Sequence, residues 1–207
     1  MSLNTAFGAD PFKDTSLGGT TSAARPELAA TVVEDVIQPF SLPGITGWVQ
    51  NRVVRENVAG TLDFYWRVTV DPTSSGGAVD SFRLGDFGYS NITDADWRID
   101  GLGSAAPYVG RLFNPAGRPD GAINFLFTDP AVGPADPFSP TGGSRFFFLH
   151  TSATDYAKTA TYDLTAPNVG ISAEYKTFAP VPEPSTLVLA ACGMLAAFGA
   201  SRLRRVR

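Results

Sequence analysis

The residue types that most often carry out chemistry are scarce in this sequence. Its 207 residues include one histidine, His150, and one cysteine, Cys192. A single histidine excludes every His-x-x-His zinc pattern and leaves a histidine-dependent triad resting on one side chain. Cys192 lies in an apolar stretch near the C-terminus, so the rest of the chain has no thiolate for nucleophilic attack or metal binding. We expect His150 to be a hydrogen-bonded structural residue, and the sequence predicts no metal site.

The motifs of common enzyme classes are also missing. The sequence has no Gly-x-Ser-x-Gly nucleophile elbow and no Gly-x-x-x-x-Gly-Lys phosphate loop. Residues 94–101 are rich in aspartate, but Arg98 stands where an EF-hand loop needs an oxygen ligand and no glutamate closes the loop. A glycosidase needs two carboxylates facing each other across a cleft, and the sequence identifies no such pair. We therefore predict a protein that is not an enzyme and has neither catalytic residues nor a cofactor.

Carbohydrate binding is the alternative function that the residues allow. Exposed aromatic rings offer large apolar faces on which sugars stack, and β-sandwich proteins often use them in this way. The candidates are Tyr65, Trp97 and Tyr108, which could lie outside the core. The sequence identifies no particular sugar.

The composition indicates a folded protein with no electrostatic attraction to nucleic acid. Apolar residues make up 43% of the chain and charged residues 17%, so enough apolar surface is available to offset the entropy lost on folding. Residues 1–181 hold 12 basic and 19 acidic side chains, and the resulting negative charge repels a polyanion.

Alternation of apolar and polar residues predicts strands. In residues 60–71 every second side chain is apolar, which predicts a core face and a solvent face. The core face holds Leu62, Phe64, Trp66, Val68 and Val70, and the solvent face includes Asp63, Tyr65, Arg67 and Thr69. Residues 145–149 are apolar on both faces and predict a central strand covered from two sides. Further candidate strands are residues 31–39, 47–56, 78–87, 96–100, 123–129, 160–165 and 171–176.

These short strands, separated by turns rich in Gly and Pro, predict an all-β fold. The spacing favours an antiparallel β-sandwich of jelly-roll or immunoglobulin-like topology. We assign residues 1–30 to a flexible or partly docked N-terminal arm, residues 31–179 to the sandwich and residues 180–207 to a C-terminal tail. Residues 1–30 contain no apolar run long enough for a secretion signal, and we expect a stretch upstream of Met1 to supply one.

The tail has a proline-rich segment, an apolar stretch and a basic end. Residues 185–201 carry no charge over 17 positions and would extend about 25 Å as a helix, close to the thickness of a bilayer's hydrocarbon core. The sequence therefore predicts a single transmembrane helix there. Its membrane-anchoring side chains include Leu187, Val188, Leu189, Leu195 and Phe198. Because positive residues beside a membrane segment stay in the cytoplasm, Arg202, Arg204 and Arg205 predict a cytoplasmic C-terminus and an external body.

The order of these zones resembles a known sorting signal. Val181-Pro182-Glu183-Pro184-Ser185-Thr186, one spanning stretch and a terminal arginine cluster are together similar to the PEP-CTERM signal of Gram-negative bacteria. That tail is also catalogued as the ice-binding protein C-terminal domain.

The resemblance implies a location and a partner. Proteins with this signal are processed by an exosortase, an integral membrane enzyme that cleaves near the Pro-Glu-Pro element, and are associated with exopolysaccharide and biofilm. It implies that Pro182, Glu183 and Pro184 are recognition residues. It also implies insertion in the inner membrane with a periplasmic body, followed by release to the cell surface or outside.

Overall fold

The computed structural model of the chain describes residues 12–75, 77–88, 92–113, 122–128 and 143–181. These residues form twelve strands and one 3₁₀ turn, Pro26–Leu28. The strands are β1 (Phe12–Ser16), β2 (Ala30–Leu42), β3 (Ile45–Glu56), β4 (Leu62–Val70), β5 (Ser81–Gly85), β6 (Ile92–Trp97), β7 (Val109–Phe113), β8 (Ala122–Leu126), β9 (Phe147–Thr151), β10 (Tyr156–Ala166), β11 (Gly170–Ile171) and β12 (Tyr175–Pro180). The prediction of an all-β fold is confirmed.

The strands form two antiparallel sheets. One has five strands in the order β2-β3-β4-β9-β6, and the other has seven in the order β1-β7-β8-β5-β10-β11, with β12 also paired to β10. In the five-stranded sheet, three strands that follow one another in the chain, β2, β3 and β4, lie side by side. The prediction of an antiparallel sandwich is confirmed.

The core lies between the two sheets and is dominated by aromatic rings. Phe147 of the five-stranded sheet lies 5.2 Å from Phe82 and 4.6 Å from Phe125 of the other sheet, measured between ring centroids. Trp66, beside it, lies 5.6 Å from Phe82. The alternation in residues 60–71 places Trp66 on this inner face, because successive side chains of a strand point to opposite sides.

The phenylalanine-rich run forms an interior strand, as predicted. β9 lies between β4 and β6, and Phe147, Phe148 and Leu149 are fully buried. Phe147 and Leu149 face the other sheet, and Phe148 faces outward, where it stacks on Tyr65 at 4.8 Å. The strand is apolar on both faces because both of its faces are covered.

The predicted solvent face of β4 is not solvated. Asp63 and Tyr65 are both buried, on the side of the five-stranded sheet that faces away from the other sheet. Tyr65 belongs to a small second cluster with Leu28, Phe146 and Phe148. The alternation gives the two faces correctly, but chain segments distant in sequence cover the outer one.

One of these segments comes from the predicted N-terminal arm. Residues 12–30 are docked, because β1 pairs with β7 at the edge of the seven-stranded sheet and Leu17 and Leu28 are buried. The amide of Gly19 donates a hydrogen bond of 2.8 Å to Asp96 Oδ1. Arg25 lies over the ring of Phe148 at 5.9 Å. The docked alternative therefore holds for residues 12–30, and residues 19–30 cover part of the outer face of the five-stranded sheet.

A buried polar chain links the two sheets. Trp66 Nε1 donates a hydrogen bond of 2.9 Å to Thr177 Oγ1, and Thr177 Oγ1 donates one of 2.8 Å to Asn51 Oδ1. Trp66 and Asn51 are in the five-stranded sheet, and Thr177, in β12, is in the other. Thr177 is fully buried, so this hydroxyl satisfies two polar groups that water does not reach.

Replacing Thr177 by valine is expected to lower the free energy of unfolding by about 2 kcal/mol, because a buried donor and a buried acceptor lose their partner while the volume is kept. Chemical denaturation of the full chain in mild detergent measures the change. Thr159→Val, at an exposed position of the same sheet, is the matched control and should change stability by less than about 0.5 kcal/mol. Equal losses in the two variants would contradict the role of the hydroxyl.

Candidate functional site

The residues of the predicted sorting signal lie outside the described part of the chain. They are Pro182, Glu183, Pro184, Leu187, Val188, Leu189, Leu195, Phe198, Arg202, Arg204 and Arg205. The predicted transmembrane helix 185–201 falls in the same region. Among the residues that are described, none forms a helix long and apolar enough to cross a membrane. The last described strand, β12, ends at Pro180, just before this region.

The structure does not bring the three predicted sugar-contacting residues together. Tyr65 is only 5% exposed, so the expectation that it is free for ligand stacking is wrong; its burial raises the pKa of the phenol. Trp97 is half-buried and packs against the main core, with Arg145 over its ring at 5.4 Å. Tyr108 is 46% exposed and directly precedes β7 of the seven-stranded sheet.

An aromatic residue that sequence reasoning missed is better placed. Trp48 is 36% exposed and lies on the outer face of β3. Gln50 and Arg52 follow it on the same face, because they are two and four residues further along the strand. The sequence signal that could have found it is the alternation of side chains along β3. Trp48 lies on the opposite face from the buried Val49 and on the same face as Gln50 and Arg52.

Gln50 and Arg52 also line a groove of about 660 Å³ on this face. Both side chains are held by Asp35: Gln50 Nε2 donates to Asp35 Oδ1 at 2.8 Å, and Arg52 Nη2 donates to Asp35 Oδ2 at 2.7 Å. The Arg52 guanidinium lies 4.7 Å from the centre of the Phe146 ring. The groove therefore presents fixed amide and guanidinium groups beside apolar walls.

The far wall of the groove carries a second ion pair. Arg98 Nε donates to Asp100 Oδ1 at 2.8 Å and Nη2 donates to Asp100 Oδ2 at 2.9 Å. The amide of Ser22 donates to the same carboxylate at 2.9 Å. The Arg98 guanidinium holds the pKa of Asp100 far below its usual range, so this carboxylate stays charged. Its ties to Arg98 and Ser22 give Asp100 a structural role. Of the predicted acidic turn 94–101, residues 94–97 belong instead to β6, and only residues 98–101 lie in a turn region.

A cluster of three ionisable side chains lies on the same outer face. The imidazole Nδ1 of His150 is 2.6 Å from Asp63 Oδ1 and 3.1 Å from Glu56 Oε1. Asp63 lies opposite His150 in the ladder between β4 and β9, and Glu56 is the last residue of β3. Asp63 is fully buried and Glu56 is 5% exposed. The three side chains are two residues or fewer from a strand end, so the sheet register brings them together.

The protonation of this cluster follows from its burial and its contacts. The hydrogen bond to Asp63 raises the pKa of His150, while burial acts in the opposite direction. Burial raises the pKa of Asp63, and the contact with His150 opposes that rise. In the ladder with β6, Asp94 also lies opposite His150, and it is ion-paired with Arg25, which in turn binds Glu27 at 2.8 Å.

The chemistry of the cluster is limited by what surrounds it. An aspartate bonded to Nδ1 orients an imidazole as it does in a catalytic triad. Within the described ranges, however, His150 is hydrogen-bonded through Nδ1 alone, and no hydroxyl stands at Nε2 as a nucleophile. An imidazole beside two carboxylates is instead a typical donor set for a metal ion. The prediction of a structural role recognised the hydrogen bond but not the carboxylates, which are 87 and 94 residues away in sequence.

Comparison with known proteins identifies the C-terminal tail. Residues 180–205 match the model of the PEP-CTERM protein-sorting motif. The chain is thus an antiparallel β-sandwich followed by a sorting sequence for exosortase-dependent export, as the sequence predicted. No curated protein and no solved structure matches the chain.

Proposed function

We propose that this chain is a non-enzymatic protein of the surface or extracellular matrix of a Gram-negative bacterium, associated with exopolysaccharide or biofilm. It enters the inner membrane through residues 185–201, with its C-terminus in the cytoplasm and the sandwich in the periplasm. An exosortase then processes the tail and releases the body. The observation that carries the proposal is the match of residues 180–205 to the sorting motif.

The arrangement of the body supports this route. The last strand ends at Pro180, where the matched motif begins, so cleavage near Pro182-Glu183-Pro184 removes no residue from a described strand. The body has no disulfide because its described residues include no cysteine, and a core of packed aromatic rings supplies its stability.

Fractionation tests the proposal. The full chain, preceded by a working secretion signal and followed by a short epitope, is expressed in Gram-negative hosts with and without an exosortase. Without the enzyme, we expect an integral membrane protein whose C-terminal epitope is protected from protease added outside the inner membrane. With the enzyme, the body should lose the epitope and leave the inner membrane. Recovery of the uncleaved chain as a soluble protein would overturn the proposal.

Carbohydrate binding by the outer face of the five-stranded sheet is the second candidate function. Trp48 is exposed beside Gln50 and Arg52, whose side chains are oriented by Asp35. An aromatic ring next to fixed amide and guanidinium donors suits a sugar, which has one apolar face and a rim of hydroxyl groups. In this alternative the chain is a membrane-anchored carbohydrate-binding module.

The expected result is that Trp48→Ala weakens binding to a polysaccharide selected on a glycan array by about tenfold, the loss of one aromatic contact of about 1.5 kcal/mol. Tyr108→Ala is the matched control, because Tyr108 is also an exposed aromatic residue but lies next to the other sheet. Binding that depends on Tyr108 and not on Trp48 would move the site to the seven-stranded sheet. Absence of binding to every polysaccharide would leave the first proposal alone.

A further inference from the structure

The cluster of His150, Asp63 and Glu56 brings metal-binding atoms from three strands to one point. One donor atom from each residue lies within 4.8 Å of those of the other two. The strands that carry them, β3, β4 and β9, are hydrogen-bonded neighbours in the five-stranded sheet. The backbone positions are therefore fixed by the sheet itself, which is the condition for a preorganised binding site.

One buried oxygen atom of the cluster lacks a partner, and a second contacts only the imidazole. Asp63 Oδ2 has no hydrogen-bond partner among the described residues, and Glu56 Oε1 has no hydrogen bond there but lies 3.1 Å from His150 Nδ1; the residues that carry these atoms are fully buried and 5% exposed. A buried carboxylate oxygen without a partner is costly, because it has given up its water and gained nothing in return. The other oxygens are engaged, since Thr61 Oγ1 donates to Glu56 Oε2 at 2.9 Å and His150 contacts Asp63 Oδ1.

The charges of the cluster are also incompletely balanced by the protein. Two buried carboxylates face one imidazole, and the nearest guanidinium, that of Arg25, is ion-paired with Asp94 and Glu27. A divalent cation with a neutral imidazole and two carboxylates forms a site with no net charge. Such a site is much easier to bury than an uncompensated negative charge.

The donor set and its spacing select the kind of cation. Ca²⁺ requires six or more oxygen ligands and Mg²⁺ retains a shell of water, whereas Zn²⁺ accepts four ligands of nitrogen and oxygen. Ligands about 2.1 Å from a tetrahedral Zn²⁺ stand about 3.4 Å apart. The separation of His150 Nδ1 from Glu56 Oε1 is 3.1 Å, and that from Asp63 Oδ1 is 2.6 Å, so each carboxylate needs to move away from the imidazole by less than 1 Å.

We propose that His150, Asp63 and Glu56 bind one Zn²⁺ ion on the outer face of the five-stranded sheet. The half-exposed side of the imidazole is the entry path, and a water molecule from that side completes the coordination. The ion joins three neighbouring strands at one end of the sheet and stabilises the fold. This site is separate from the sorting tail, so its test does not depend on export.

Zinc titration of the full chain in mild detergent, after removal of metals with a chelator, tests the site. We expect calorimetry to show one saturable site. Zn²⁺ at 100 times the dissociation constant should raise Tm by about 5–10 °C. Because His150 is the only histidine, NMR of protein labelled with ¹⁵N-histidine shows the Nδ1 and Nε2 signals of one imidazole, and their shifts on Zn²⁺ addition report this residue directly.

Three variants attribute the binding to the cluster. Asp63→Asn, Glu56→Gln and His150→Gln keep the side-chain size approximately and should each weaken Zn²⁺ binding by about 100-fold or more. Asp163→Asn is the control, because Asp163 is a carboxylate paired with Arg83 at 2.6 Å on the other sheet, and it should bind Zn²⁺ as the unaltered protein does. Circular dichroism checks the fold of each variant, and the folded ones decide. Binding that is absent from the unaltered protein, or unchanged in folded His150→Gln or Glu56→Gln, would overturn the proposal.

Discussion

In a host with an exosortase, the chain with both Pro182→Ala and Pro184→Ala is expected to remain unprocessed and in the inner membrane. Proline fixes φ near −65°, has no amide hydrogen and disfavours helix in the residue before it, so the sequence Pro-Glu-Pro favours the extended conformation that proteases bind. Alanine removes these constraints and allows an adjoining helix to extend through the site. The intact mass of the protein, measured in membrane and external fractions, reports the loss of processing.

The matched control for this experiment is Pro39→Ala, which changes an exposed proline within β2. It should be processed like the unaltered chain. The double variant should also unfold at the same denaturant concentration as the unaltered chain, because Pro182 and Pro184 follow the last described strand. Normal cleavage of the double variant would show that the motif match does not identify a processing site.

Replacing Phe147 by alanine is expected to have the largest effect on stability. Phe147 is fully buried, and its ring lies within 6.2 Å of the rings of Trp66, Phe82, Phe125 and Phe127, measured between centroids. Its loss opens a cavity between the sheets, and a cavity of this kind costs about 3–5 kcal/mol. Since domains of this size are stable by about 5–15 kcal/mol, Tm should fall by about 10 °C or more.

Thermal and chemical unfolding of the full chain measure this effect, and Phe12→Ala is the control. Phe12 lies in the edge strand β1, is 42% exposed and stacks on Phe113 at 4.8 Å. Its removal should cost about 1 kcal/mol or less, because Phe12 is already exposed to water at the sheet edge and its loss leaves no cavity between the sheets. Similar losses in the two variants would mean that the aromatic cluster is not the centre of the core.

The inner half of the sandwich was predictable because its signal is local. The alternation of apolar and polar residues around Trp66 and the continuous apolar run around Phe147 each predict burial from a few neighbouring residues. The strands β1 and β7 were missed because they lack such a local signal. β1 has the polar sequence FKDTS and lies at a sheet edge, and β7 is five residues long with a glycine at its second position, so neither has a pattern to distinguish it from a loop.

The outer face of the five-stranded sheet was not predictable from local patterns. Asp63 and Tyr65 occupy polar positions of a regular alternation, which indicates solvent, and they are buried by residues near positions 28 and 148. His150 gave no sign of its two carboxylate neighbours, because the ladder between β4 and β9 joins residues 87 positions apart. The sorting tail, by contrast, is a linear signal, so the sequence identified it without any knowledge of the fold.

The position of β12 has a mechanical consequence for a protein tethered at its C-terminus. In the antiparallel pairing of β12 with β10, Pro180 lies opposite Tyr156 and Tyr175 lies opposite Tyr162. A pulling force applied at residue 181 along the strand is therefore shared by the hydrogen bonds of this ladder rather than carried by one bond at a time. The Trp66–Thr177 bond fastens the same strand to the opposite sheet. If the tail anchors the chain in the membrane as proposed, a pulling force on it loads the β10–β12 ladder and the Trp66–Thr177 hydrogen bond in shear.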